Sequence, residues 1–208
     1  MTTTLQIVFV IFSYLLGSIP TGYFLTNYYT GKNILEWGSG NIGSTNVRRV
    51  AGKRISVVTQ LLDMFKGFLP VTVCWFWADR TIHGTDYLIY WVALAAILGH
   101  DFSIFLRFRG GKGVNTTLGA SVLLAPFSVF IAVAIYFVVK WRFKFVSLGS
   151  LVLGVTMPLI EIILRGGGPT FYYLLVCTLL IFMMHKSNIK RLLNSNELTQ
   201  EITKERKV

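Results

Sequence analysis

Long apolar runs separated by short polar ones set the pattern of this chain. Apolar residues dominate Leu5 to about Asn27, Arg54 to Ala78, Tyr87 to Phe105, Val146 to Leu164 and Thr170 to Met184. A helix needs roughly 20 mainly apolar residues to cross the hydrocarbon core, and these runs approach that length. The apolar positions are continuous and do not alternate, so the runs predict helices, whose backbone groups are satisfied within the segment. Gly17, Ser18, Pro20 and Gly22 predict close packing and a kink in the first run. That run lacks a basic leader and a small-residue cleavage site, and reads as a retained span. Leu118 to Val139 is also apolar, but Pro126 divides it. A single span there would put the basic clusters before and after it on opposite sides, so the pattern predicts two short helices that dip in and return. The expected fold is an all-α polytopic membrane protein of about seven transmembrane helices, two of them short, with its N-terminus outside and its C-terminus cytoplasmic. Residues 1–194 form one integral-membrane domain, and 195–208 form a cytoplasmic tail, either an amphipathic helix or a loose segment.

Composition supports this and removes other classes. Apolar residues make up 53% of the 208 positions and charged ones only 14%, which is too greasy for a soluble domain. The net charge of +11 would suggest nucleic acid in a soluble protein. Here the charge sits between spans: of the 20 Lys and Arg, all but Lys66, Arg80 and Arg165 fall on the proposed cytoplasmic side. That asymmetry orients the protein and leaves room for anionic head groups or phosphorylated substrates, with no nucleic-acid partner expected. Cys74 and Cys177 lie in apolar runs and behave as small hydrophobes.

Candidate chemistry concentrates in the polar interruptions. Gly38 to Arg49, GSGNIGSTNVRR, packs glycines, amides, hydroxyls and two arginines into twelve residues. Glycines let backbone N–H groups form an anion-binding concavity, and the side chains add donors for phosphate oxygens. Alone, the run reads equally well as a basic connector. A second run, Arg107 to Thr117, RFRGGKGVNTT, has the same character, and Lys140 to Ser147 and His185 to Arg191 fall on the same side. Together they predict a site at the cytoplasmic interface that binds more than one phosphate, beside an apolar bundle able to receive a fatty tail. Gly110 to Gly113 matches only part of a nucleotide P-loop, because Leu106 and Gly113 stand where glycine and a metal-holding hydroxyl are needed. His83, His100 and His185 are scattered, so no metal site and no cofactor are expected. The His-to-Asp pairing of soluble glycerolipid acyltransferases is absent, with Leu88 and Phe105 in the corresponding places. Asp63 and Lys66 share a helix face and read as a structural ion pair, and Glu161 stands four before Arg165 on one helical face. Asp101 beside His100 suggests a carboxylate raising that histidine's basicity. Ser147 reads as an N-cap, a ligand contact, or both, and Lys140, Arg142 and Lys144 as topology anchors.

GSGNIGSTNVRR, GHDFSIFLRFRGGKGVNTTLG, KFVSLGS and HKSNIKRLL, with LGSIPTGY and LDMFKG, resemble the signature blocks of the bacterial acyl-phosphate:glycerol-3-phosphate acyltransferases of the PlsY type. The resemblance covers nearly the whole chain, with departures at Ser44, Ser103, Arg109 and Ser187. It implies a multi-pass protein of the bacterial inner membrane that transfers a fatty acyl group from acyl phosphate to glycerol 3-phosphate at the cytoplasmic face. The products are lysophosphatidic acid and phosphate, and an acyl-phosphate-forming enzyme is a candidate supplier. By position it implies catalytic roles for Ser39, Arg49, Lys112, His185 and Asn188. Gly38, Asn41, Thr45, Asn46, His100, Gly110, Gly111, Gly113 and Ser147 complete a substrate-binding set. Acyl phosphate is a mixed anhydride with a good leaving group, so positioning matters more than a strong base. No serine with a carboxylate-oriented histidine is evident, which favours direct transfer over an acyl-enzyme. A small transporter for an anionic solute is the rival reading, although no duplicated hydropathy pattern supports it.

Overall fold

The computed structural model describes residues 3–77 and 87–198. In chain order the helices are α1 (Thr3–Ser18), α2 (Thr21–Thr30), α3 (Ser44–Ala51), α4 (Lys53–Trp77), α5 (Leu88–Asp101), α6 (Val114–Ser121), α7 (Pro126–Phe143), α8 (Val146–Arg165), α9 (Pro169–Met184) and α10 (Lys186–Leu193). Short 3-10 turns at Ile34–Glu36 and Ile104–Leu106 lie in the two polar loops. The predicted turn at Asp79 to Asp86, with Arg80 and His83, and residues 199–208 of the tail lie outside the described residues.

Among the described residues, five stretches are long and apolar enough to cross a membrane: Thr3–Thr30, Lys53–Trp77, Leu88–Leu106, Pro126–Phe143 and Val146–Arg165. The pair α9 and α10 makes a sixth if it counts as one span bent by 62°. Large apolar side chains point outward along them, with Phe65, Trp91, Phe130 and Ile163 each more than half exposed. In water that surface would be costly, whereas lipid is its natural solvent. Trp77 and Trp141, at the ends of α4 and α7, are also exposed, as amphipathic rings are at head-group level.

Inside the bundle, small residues bring helices close. A Cβ on Gly17 would lie 2.1 Å from the Ala96 carbonyl oxygen, so α1 and α5 pack backbone to backbone. Across that seam Ser13 Oγ donates to Val92 O at 2.7 Å. The buried core runs through Val71, Val92, Ile97, Leu153, Met157 and Leu174, joining α4, α5, α8 and α9.

The kink predicted at Pro20 is present: the helical backbone is interrupted at 19–20, between α1 and α2, within the one stretch Thr3–Thr30. At the kink the Ile19 carbonyl loses its regular i+4 donor, and it accepts instead from the Thr21 N–H at 3.0 Å and from Lys66 Nζ on α4 at 2.8 Å. The expectation of two short helices over Leu118 to Val139 holds for only one of them. α6 has 8 residues, but α7 has 18 and is long enough to span. Pro126 opens α7 in its first turn, where the missing N–H costs nothing, and so starts a long helix instead of splitting two short ones. Part of the polar run, from Val114 onward, is itself helical and forms the start of α6.

Candidate functional site

The first polar run folds around one of its own side chains. Gly38 and Gly40 take left-handed backbone angles, φ +65° and +68°, in which glycine alone is unstrained. Buried Asn46 accepts from the Ser39 N–H at 2.8 Å and donates to the Trp37 carbonyl at 2.9 Å, which ties the loop to the start of α3. Beneath it Ile34, Ile42 and Val47 form a small apolar cluster of their own. The second half of the run, from Ser44, is the helix α3.

The second run is shaped by the end of α5. Carbonyls at a helix C-terminus have no intrahelical donor, and here they take loop N–H groups. Gly110 donates to Asp101 O at 3.1 Å and Gly111 to His100 O at 2.9 Å. Added Cβ atoms on these glycines would lie 2.0 Å from His100 O and 1.9 Å from His100 Nε2. The two runs then meet: Asn41 Nδ2 donates to Gly110 O at 3.3 Å, while Asn41 Oδ1 accepts from the Gly43 N–H at 2.9 Å.

Between them lies a cavity of about 220 Å³. Ser39 and Asn41 line it from the first loop, Thr45, Asn46 and Arg49 from α3, and His100 from α5. Lys112 and Gly113 line it from the second loop, Ser147 from α8, and His185 and Asn188 from the corner between α9 and α10. Gly38, Gly110 and Gly111 are not on its wall and act from behind it, by shaping the loops. The first turns of three helices also line it, through Ser44 and Thr45 of α3, Val114 and Asn115 of α6, and Val146 and Ser147 of α8. Helix N-termini offer N–H donors and the positive end of the backbone dipole, which suits an anion.

The charge agrees with that geometry. Arg48, Arg49, Lys53, Lys112 and Lys140 line the cavity against Asp63 and Glu197. Burial is the main cause that lowers the Lys112 ammonium to about 8; Arg191 and Arg49 lower it further, and Glu197 opposes them. Arg49, 6% exposed, is also lowered, chiefly by burial. Lys112 Nζ donates to Asn188 Oδ1, and Asn188 Nδ2 donates to Glu197 Oε1 at 2.6 Å. His185 Nδ1 lies 2.8 Å from the Ile181 carbonyl, so Nδ1 carries the proton and Nε2 keeps a lone pair. Ser147 Oγ is buried without a hydrogen-bond partner. Phe145 occupies the N-cap position of α8, so Ser147 is not the cap that one reading made it.

The carboxylate beside His100 is Asp63 and not Asp101. Asp63 Oδ1 stands 3.6 Å from His100 Nδ1, accepts from Thr21 at 2.6 Å and pairs with Lys66 at 2.9 Å. Asp101 turns toward Gly113, because consecutive helix residues project about 100° apart. The expected ion pair of Asp63 and Lys66 is present, and Glu161, on one face with Arg165, stands 3.6 Å from it. Sequence reasoning missed Glu197 and Leu198, whose carbonyl accepts from Arg49 Nη2 at 3.1 Å, and took Lys140 for an anchor only. Among the described residues, no three His, Cys, Asp or Glu side chains gather to hold a metal ion.

Residues 7–195 match the model of a family described as glycerol-3-phosphate acyltransferase. A relative of that name from Clostridium acetobutylicum is 47% identical over 92% of this chain and 98% of its own length. Another from Trichlorobacter lovleyi is 42% identical, over 89% and 92%. The fold is similar to the crystal structure of PlsY (YgiH), an integral membrane glycerol 3-phosphate acyltransferase, in its glycerol 3-phosphate form. The TM-score is 0.85, with 32% identity over 93% of this chain and 94% of that one. The lysophosphatidic acid form of PlsY superposes with a TM-score of 0.82.

Proposed function

We propose, from the premise that the chain belongs to the glycerol-3-phosphate acyltransferase family, how its cavity carries the reaction. The protein is a membrane glycerol-3-phosphate acyltransferase that forms lysophosphatidic acid. Its donor is acyl phosphate, and its active site faces the cytoplasm. The asymmetry of Lys and Arg along the chain supports that orientation. The observation that carries this reading is the junction of the two glycine-rich loops at Asn41 and Gly110, which puts Arg49 and Lys112 on one cavity.

Both substrates bear a phosphate, and the cavity supplies cations, helix N-termini and the hydroxyls of Ser39, Thr45 and Ser147 to hold two of them. An adjoining apolar cavity of about 360 Å³, between α4, α6 and α7, takes the acyl chain. Met64, Phe65, Phe68, Val122 and Phe130 line it, and Leu118 and Val133 border both cavities. A glycerol hydroxyl attacks the acyl carbonyl carbon, the new ester C–O bond forms, and the bond from that carbon to the phosphate oxygen breaks. The departing phosphate takes the hydroxyl proton. Arg49 and Lys112 stabilise the negative charge on the way, and His185 and Asn188 position the reactants.

The test is purified protein with acyl phosphate and labelled glycerol 3-phosphate, without coenzyme A, acyl carrier protein or added metal. Labelled lysophosphatidic acid is expected. Its absence from a folded sample that turns over another acyl donor would overturn the donor assignment, and a covalently acylated side chain on the pathway would overturn direct transfer.

A further inference from the structure

The segment after α10 folds back over the cavity through Glu197 and Leu198. Glu197 Oε1 accepts from Asn188 Nδ2 at 2.6 Å, and Oε2 accepts from Arg191 Nε at 3.1 Å, with the Glu197 side chain 3% exposed. One residue on, the Leu198 carbonyl accepts from Arg49 Nη2 at 3.1 Å. This short stretch therefore touches or braces three of the residues assigned to the reaction.

We propose that Glu197 is a positioning residue for acyl transfer: its carboxylate fixes the Asn188 amide and Arg191, and thereby sets where Lys112 stands. The proposal deepens the functional reading above and rests on it. An asparagine amide has a donor end and an acceptor end of nearly the same shape. A carboxylate only accepts, so beside Glu197 the amide presents its NH2 group there and its oxygen to the Lys112 ammonium. Without Glu197 only the Lys112 ammonium selects the orientation, and the NH2 end of the amide loses the acceptor that holds it in place. Arg191 lies three residues after Asn188 on the same face of α10, so the second carboxylate oxygen fastens Glu197 to that face and keeps the first one on the Asn188 amide.

The charges facing Lys112 are those of Arg49 on α3, Arg191 on α10 and Glu197, with His185 at the helix corner. Arg48, Lys53, Asp63 and Lys140 stand further around the same wall. Of the three charges that set Lys112, Glu197 is the only anion, which gives a readout that plain structural support would not move.

The experiment uses the full chain with Glu197→Gln, Glu197→Ala and Glu197→Asp. Competitive acetylation of Lys112 against pH, read by mass spectrometry, follows its titration without any need for activity. In Glu197→Gln the Lys112 midpoint is expected below its wild-type value near 8. kcat falls roughly ten- to a hundred-fold, the range for loss of a hydrogen bond to a charged group, and Glu197→Asp recovers part of it. An unchanged Lys112 midpoint in Glu197→Gln overturns the proposal. So does a rise in kcat/KM, which would make Glu197 a carboxylate that blocks an anion site. Loss of activity in Glu197→Ala counts only where its melting temperature stays near wild type, and the near-isosteric Glu197→Gln decides otherwise. A wild-type protein that makes no lysophosphatidic acid sinks the functional reading, while the acetylation profiles still judge the coupling of Glu197 to Lys112.

Discussion

Two clusters of buried charge border the same cavity, and they are built in opposite ways. Around Asp63 the groups close on one another: Thr21 and Lys66 donate to it, His100 stands beside it, and Lys66 also donates to the Ile19 carbonyl at the Pro20 kink. Around Lys112 the balance is left open, with Arg49, Lys112 and Arg191 gathered about the single carboxylate of Glu197. A buried charge whose partners are all protein groups stabilises one arrangement of the chain. A buried excess of one sign has a cost that a ligand of the other sign removes. The first cluster therefore reads as the frame, joining α2, α4 and α5, and the second as the phosphate site proposed above.

The comparison is broken most severely at Lys66. Lys66→Ala strips Asp63 of its cation in the middle of the bundle, and breaking a buried pair in this way costs about 3–5 kcal/mol. A thermal melt in detergent should show that loss, with whatever folded protein remains still binding inorganic phosphate. Phosphate binding lost at unchanged stability would place Lys66 in the site and erase the distinction.

Lys112→Ala should do the reverse. Removing one preorganised group that stabilises developing charge costs about 10²–10³ in kcat, and the melt should stay near wild type or rise, because a like-charged crowd has been thinned. A large loss of stability with little change in kcat would make Lys112 part of the frame.

A smaller effect sharpens the contrast through pH. Lys112 is lowered to about 8 from its ordinary 10.5, so its ammonium fades as pH rises through 8 in the empty site. Anion binding requires that ammonium, so the dissociation constant for inorganic phosphate should rise up to about tenfold per pH unit above 8. Stability should move the other way. The unfolded chain holds the proton up to about 10.4, so between 8 and that value it binds more protons than the folded protein, and folding is favoured as pH rises. Binding and stability that change in the same direction would remove Lys112 from the open cluster.

How far the sequence revealed this contrast depended on the kind of signal each group left. The two glycine-rich runs were visible because several unusual residues lie together, and their junction places Ser39, Asn41, Arg49 and Lys112 on one wall as expected. Asp63 and Lys66 were visible as a pair because their spacing matches a helix turn. Which carboxylate meets His100 was not, since sequence adjacency favours Asp101 while packing of α4 against α5 brings Asp63. α3 was hidden because its buried face carries Asn46 and Arg49, which interrupt the apolar pattern that marks a helix. Glu197 left no signal at all: one acidic residue in a polar tail has no period, and only the turn that ends α10, at Asn194 and Ser195, brings it back to Asn188.

The finest division between frame and site falls on two serines, at opposite ends of the packed pair α7 and α8. Ser128 Oγ on α7 donates to Glu161 at 2.6 Å near the far end of α8, and both are buried. Ser147 opens α8 at the cavity, equally buried, and its Oγ has no hydrogen-bond partner. Removing a hydroxyl that satisfies a buried carboxylate exposes the partner's desolvation cost, about 1–3 kcal/mol, so Ser128→Ala should lower the melt and leave KM unchanged. Removing a hydroxyl that no protein group uses deletes an unmet demand. Ser147→Ala should leave the melt unchanged or raise it slightly, while KM for glycerol 3-phosphate or for acyl phosphate rises by roughly ten-fold, the worth of one hydrogen bond to a charged group. The substrate whose KM moves identifies which phosphate Ser147 serves. If instead Ser147→Ala melts early and neither KM changes, its hydroxyl belongs to the frame and the open side of the cavity ends before α8.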